Sequence, residues 1–212
     1  MISIIILLFI GILLFNYFKN LIMKFDEEHG IIKNKYDNVI TTLFSIINSV
    51  IIYNFTQNNL IRFVLIISFS VLLVCAYTDL KTNFVYRVYS YLLIMVNLIY
   101  LVINKNNIPD LESILTLVFF IIIINVLTIK NCFGKGDSYI LIANSLLVIT
   151  LNQNYYFPIE VILWHFVLSA VLMIILNLKQ MNFKTLRFNK PIPFVPYIYL
   201  ATLIMILLYI RK

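Results

Sequence analysis

Eight long apolar runs separated by short polar segments constrain this chain more than any other feature: Ile2–Phe18, Val39–Phe55, Leu60–Thr78, Phe84–Ile103, Leu111–Ile129, Ser138–Leu151, Pro158–Leu178 and Phe194–Ile210. Most approach the roughly 20 residues needed to cross a hydrocarbon layer; the sixth is short. In lipid every backbone polar group must find its partner within the protein, so only helices and closed barrels span a bilayer. The runs lack the strict alternation of barrel strands. The expected fold is therefore all-α, a polytopic transmembrane helix bundle of about eight spans. Hydrophobic residues make up 62% of the chain and charged residues 12%. Such a composition excludes an ordinary water-soluble domain and leaves no stretch for a large extramembrane one.

The net charge of +7 invites a nucleic-acid reading, but the basic residues are scattered singly instead of forming a dense stripe. Topology accounts for them better. If the first helix starts outside, the inner loops hold Lys19, Lys24, Lys33, Lys35, Lys81, Arg87, Lys130, Lys135, Lys179, Lys184, Arg187 and Lys190, and only Arg62, Lys105, Arg211 and Lys212 fall outside. By the positive-inside rule both termini are expected outside. The first run reads as a retained helix rather than a secretory signal, because its basic residues follow it. Cys75 and Cys132 lack paired spacing, so neither a disulfide framework nor a zinc site is indicated.

The chain has nine acidic residues, and six of them (Asp26, Glu27, Glu28, Asp37, Asp110 and Glu112) lie in loops or at loop edges where a charge is easily solvated. Glu160 follows Pro158, where a helix N-terminus favours a carboxylate. Asp79 and Asp137 differ: one ends the third run and the other opens the sixth, which puts both at the inner edge of the bilayer. Ionisable groups at membrane depth are costly and mark functional sites. Two neighbouring carboxylates cannot both ionise cheaply, so such a pair shares a proton, and one member can activate water while the other polarises a carbonyl.

Each aspartate alone could be a helix cap, Asp79 beside Lys81 and Asp137 at the start of its helix. Against that stands Phe133-Gly134-Lys135-Gly136-Asp137-Ser138, which contains two of the chain's four glycines. Glycine allows backbone conformations and close approaches denied to other residues, as a tight presentation of Asp137 requires. A phosphate-binding loop fails, because the G-x-x-x-x-G-K-[ST] spacing is absent. A small transporter or channel using the two aspartates as ion or proton sites is the alternative. It would more readily place them near the midplane between repeated halves, and no repeat is visible. A catalytically silent scaffold is the third possibility. His165 is expected to be a packed histidine and His29 a solvated one, while Asn48, Asn97, Asn125 and Asn144 are expected to hydrogen-bond between helices.

Three stretches in order resemble the type IV prepilin peptidases, of the GxGD class of membrane aspartic proteases: Thr78-Asp79-Leu80-Lys81-Thr82, Gly134-Lys135-Gly136-Asp137, and Lys190-Pro191-Ile192-Pro193-Phe194-Val195-Pro196. The resemblance covers roughly residues 60–212. It implies a single integral membrane peptidase domain over 1–212, with a first helix and short cytosolic loop over 1–38 and a catalytic core over 60–212. Asp79 and Asp137 would be the catalytic pair, supported by Gly134, Lys135, Gly136, Pro193 and Pro196, with no metal or cofactor. The implied partners are the bilayer and a prepilin or pseudopilin, whose short basic leader would be cleaved at the cytosolic face of the cell membrane. Where many members carry Ile-Pro-Asn after the first aspartate, this chain has Val85-Tyr86-Arg87. Many also carry two cysteine pairs associated with N-methylation; the corresponding Lys19–Asn38 has no cysteine, so methyltransferase activity is not expected.

Overall fold

A computed structural model describes residues 2–25, 36–103, 110–130, 134–151, 157–182, 187–188 and 191–210. Among them are eight α-helices: α1 (Ile2–Phe25), α2 (Asp37–Phe55), α3 (Asn59–Thr82), α4 (Arg87–Ile103), α5 (Leu111–Ile129), α6 (Lys135–Leu151), α7 (Pro158–Leu176) and α8 (Val195–Ile210). Two two-residue strands, β1 (Met181–Asn182) and β2 (Arg187–Phe188), pair antiparallel ahead of α8. Asp26, Glu27, Glu28, His29, Lys33, Lys35, Lys105, Cys132, Phe133, Lys184, Lys190, Arg211 and Lys212 lie outside the described residues.

The chain is an all-α helical membrane protein, as the apolar runs imply. The described parts of α1, α2, α3, α5 and α7 are long and apolar enough to cross a bilayer, and α4 and α8 are shorter apolar helices. The sixth run gains a turn at its start, and α6 spans about 25 Å at 1.5 Å per residue.

Two boundaries differ from the hydropathy reading for identifiable reasons. Helix α1 continues past Phe18 to Phe25 because Ile22 extends its buried stripe. Lys19, expected in a loop, is instead buried: its ammonium lies over the Phe15 ring and reaches the Asn38 side chain, so the apolar stem stays in the bundle while the charge finds a partner. At the other boundary, Phe84–Tyr86 are not helical. Asn83 ends α3 in the left-handed conformation (φ 52°), one that asparagine tolerates better than most residues, and its N–H bonds to the Asp79 carbonyl at 2.8 Å.

Helix α3 is the hub, buried along most of its length and packed against α1, α2, α4 and α8. Helix α6 packs against α4, α5, α7 and α8. The two helices that carry Asp79 and Asp137 are thus joined through α4 and α8, with no extensive packing of their own. Lipid chains are as apolar as leucine, so side-chain packing and interhelical hydrogen bonds hold such a bundle. Asn48 accepts the Tyr199 hydroxyl at 2.7 Å, tying α2 to α8. Asn125 departs from expectation, donating to Ile121 within its own helix.

Arg62, near the other end of α3, donates to the Thr56 carbonyl (2.6 Å), the Tyr53 carbonyl (3.0 Å) and Asn59 Oδ1 (3.1 Å), its guanidinium 4.2 Å from the Tyr53 ring centroid. It thereby satisfies carbonyls at the end of α2 that the helix itself leaves open. Arg62→Ala is expected to destabilise the fold by about 2 kcal/mol, read as a lower unfolding midpoint in detergent. Arg62→Lys recovers little of this, since one ammonium cannot reproduce the planar fork.

Candidate active site

Asp79 sits in the last turn of α3 and is only 3% exposed. Its neighbour Lys81 does not neutralise it, because the Lys81 ammonium pairs with Asp37 at 2.8 Å, where the Tyr77 hydroxyl also donates (3.1 Å). Asp37, read from the sequence as a solvated loop carboxylate, is therefore the fastener between the start of α2 and the end of α3. Asp79 faces the entry to α8. The Val195 N–H donates to Asp79 Oδ2 at 2.9 Å, and the Phe194 amide adds a second backbone contact.

The proline-rich stretch explains that arrangement. Pro193 and Pro196 have no N–H, and their rings pre-set the backbone as the helix begins. Between them Phe194 and Val195 present amide donors that no earlier turn can use. A carboxylate at a helix N-terminus also meets the positive end of the helix dipole. Asp79 thus caps α8 from another helix, and this contact joins the first and third stretches of the resemblance.

Asp137 is the third residue of α6. The Gly134 backbone amide faces its carboxylate, a reach-back like one half of a capping box, and the Ser138 N–H closes the first turn on the Gly134 carbonyl at 3.1 Å. A Cβ on Gly134 would lie 3.0 Å from Asp137 Oδ2. On Gly136 it would lie 2.8 Å from Val85 Cβ and 3.5 Å from the Val85 carbonyl. Neither glycine has a positive φ. Both are required for space: one leaves room for the carboxylate, the other lets the segment after α3 close onto α6.

The two aspartates line one cavity of about 450 Å³. Gly134, Lys135 and Gly136 line it too, whereas Pro193 and Pro196 do not. The remaining wall is Asn83, Phe84, Val85, Tyr86, Arg87 and Val88, none of them among the site residues expected from the sequence. The available signal was Asn83, a residue suited to ending a helix in the left-handed conformation, which would have turned Phe84–Tyr86 back along the aspartate edge. Among the described residues no group of three or more His, Cys, Asp or Glu could hold a metal ion. The arrangement offers two carboxylates on one cavity, two backbone donors facing Asp79 and one facing Asp137, and room for a short extended peptide.

His165 is packed as expected: it is fully buried against Asn144 and Thr202, with Nε2 3.0 Å and 3.1 Å from their side chains, remote in sequence from the cavity. Glu160 lies in the first turn of α7. The model of the type IV leader peptidase family matches residues 66–211, a span holding both aspartates, both glycines and the proline-rich entry. No curated protein and no solved structure matches the chain.

Proposed function

The chain belongs to the type IV leader peptidase family, and from that premise we propose that it is an aspartic endopeptidase in which Asp79 and Asp137 remove the short basic leader of a prepilin or pseudopilin. The observation that carries this reading is the convergence of the two aspartates on one cavity from helices that scarcely touch each other.

A scissile peptide lies along the cavity with its carbonyl between the carboxyls. Asp79, facing two backbone N–H donors, holds the anionic form, since a protonated oxygen there would waste a donor. Asp137 then carries the shared proton. Asp79 takes a proton from water as the oxygen attacks the carbonyl carbon, and Asp137 donates its hydrogen bond to the developing oxyanion. Collapse of the tetrahedral intermediate breaks the C–N bond, and the proton gained by Asp79 passes to the leaving amine. Arg87 and Lys135 flank the cavity. If the first helix starts outside, twelve of the sixteen basic residues fall on the side of the two aspartates, and the positive-inside rule favours a cytosolic-facing site in the cell membrane and external termini. The reading includes peptide cleavage alone, without N-methylation of the product.

The test is incubation of the purified, detergent-solubilised chain with prepilins and pseudopilins from the same organism, followed by mass spectrometry. Shortening by a basic leader supports the proposal; failure on every such substrate removes it. A pair sharing one proton also gives a bell-shaped pH dependence of kcat/KM. Tyr86, Arg87 and Lys135 are the other titratable groups lining the cavity, and Tyr86→Phe, Arg87→Gln and Lys135→Gln are each expected to keep both limbs.

A further inference from the structure

The helices bearing Asp79 and Asp137 have no extensive contact with each other, so packing between α3 and α6 does not determine the separation of the two carboxylates. Two routes connect them. The first runs through α4: Ser68 Oγ on α3 donates to Asn97 Oδ1 at 2.6 Å, and Asn97 Nδ2 donates to the Ala143 carbonyl on α6 at 2.8 Å. The second runs through α8: the Val195 amide holds Asp79, and Thr202 Oγ1 accepts from Asn144 Nδ2 on α6 at 2.6 Å, with His165 of α7 against both side chains. Ser68, Asn97, Asn144, His165 and Thr202 are all fully buried.

The placement of the second route matters. Asn144 lies two helical turns beyond Asp137, and Thr202 two turns beyond Val195, a rise of about 10 Å on each helix. The Asn144–Thr202 bond therefore joins α6 and α8 at matched heights above the site and sets the register of one against the other. On α6, the groups used by the two routes, the Ala143 carbonyl and the Asn144 side chain, belong to consecutive residues. Apolar packing in lipid is non-directional and tolerates sliding and rotation, whereas hydrogen bonds of this length do not. Asn144 Oδ1 and His165 Nδ1 make no hydrogen bond among the described residues. A cluster serving cohesion alone would be better built from leucine, because buried polar atoms without partners are destabilising.

We propose that Asn97 and Asn144 are positioning residues of the peptidase: buried side-chain bridges, remote from the cavity, that hold Asp79 and Asp137 at working separation. This rests on the reading of the two aspartates as the catalytic pair, and its test has an arm independent of activity. In the first arm Asn97→Leu and Asn144→Leu are assayed per folded, monodisperse molecule. Displacement of a reacting group by about 1 Å lowers rates by about 100-fold, so kcat is expected to fall 10- to 100-fold while KM stays within about twofold. Thr202→Val, which removes the hydroxyl at nearly constant shape, behaves likewise, and Thr202→Ser, which keeps it, retains most of the rate. Should the leucine variants fail to fold, Thr202→Val and Ser68→Ala still carry the comparison.

In the second arm Asp79→Cys and Asp137→Cys are combined in a Cys75→Ser, Cys132→Ser background and treated with a short bifunctional thiol crosslinker. Adding Asn97→Leu or Thr202→Val should lower the crosslinking yield several-fold. Unchanged kcat per folded molecule together with unchanged crosslinking overturns the proposal. If the parent chain cleaves no prepilin yet the crosslinking still responds, the catalytic reading fails and the positioning device stands.

Discussion

Asp79→Asn and Asp137→Asn are each expected to reduce the proposed leader cleavage by about 1,000-fold or more, with folded yield and monodispersity near those of the parent chain. Amide for carboxylate preserves shape and removes the shared proton, so loss of the pair's chemistry is separated from loss of packing. The two replacements differ in their structural side effects. At Asp79 the side-chain oxygen of asparagine still accepts the Val195 N–H that now reaches Oδ2 at 2.9 Å. At Asp137 the cap on α6 likewise survives through an amide oxygen facing Gly134. If the two carboxylates act as a unit, as proposed, the double variant should be no slower than the worse single one, the residual rate coming from binding alone. Cleavage products quantified by mass spectrometry at equal folded concentration decide this, and full-rate turnover by either single variant removes the dyad.

Gly136→Ala is expected to lower kcat/KM by about 100-fold and to destabilise the fold by about 1–3 kcal/mol. The new methyl would sit 2.8 Å from Val85 Cβ, an atom fixed to the backbone that cannot rotate away, so Val85 must move bodily. Val85 is buried and forms part of the cavity wall, and its displacement shifts the Asn83–Val85 segment away from Asp137. Val85→Gly added to Gly136→Ala removes the clashing atom and should restore part of both activity and thermal stability, an interaction visible in a double-mutant cycle. Gly134→Ala provides the contrast. Its methyl would meet Asp137 Oδ2 at 3.0 Å, the end of a side chain that can swing aside, so stability is expected to be nearly kept while activity is lost. Equal loss of stability in both alanine variants would contradict this division of roles.

Much of the architecture was readable because the bilayer imposes a one-dimensional rule. A segment that must satisfy its own backbone in lipid becomes a helix wherever it is apolar for long enough, and each apolar run corresponds to one helix. The edges were less readable, since they depend on individual side chains. Lys19 stays in a helix because Phe15 and Asn38 receive its charge, and Phe84–Tyr86 leave one because Asn83 turns the chain. At the site, the sequence singled out the two aspartates and the glycines by type and depth. It could not show that the glycines serve clearance rather than unusual backbone angles, since that depends on Val85 and on the rotamer of Asp137.

Composition and the order of apolar and charged segments determined that this chain enters a membrane as helices, and that two acidic side chains come to lie at one of its edges. Those outcomes follow from transfer free energies that act on each segment separately. Tertiary structure alone decided that Asp37 takes Lys81 away from Asp79, that the start of α8 supplies the donors facing Asp79, and that the two aspartate-bearing helices are joined through α4 and α8. These are contacts between residues far apart along the chain, and their geometry exists only once the helices have packed.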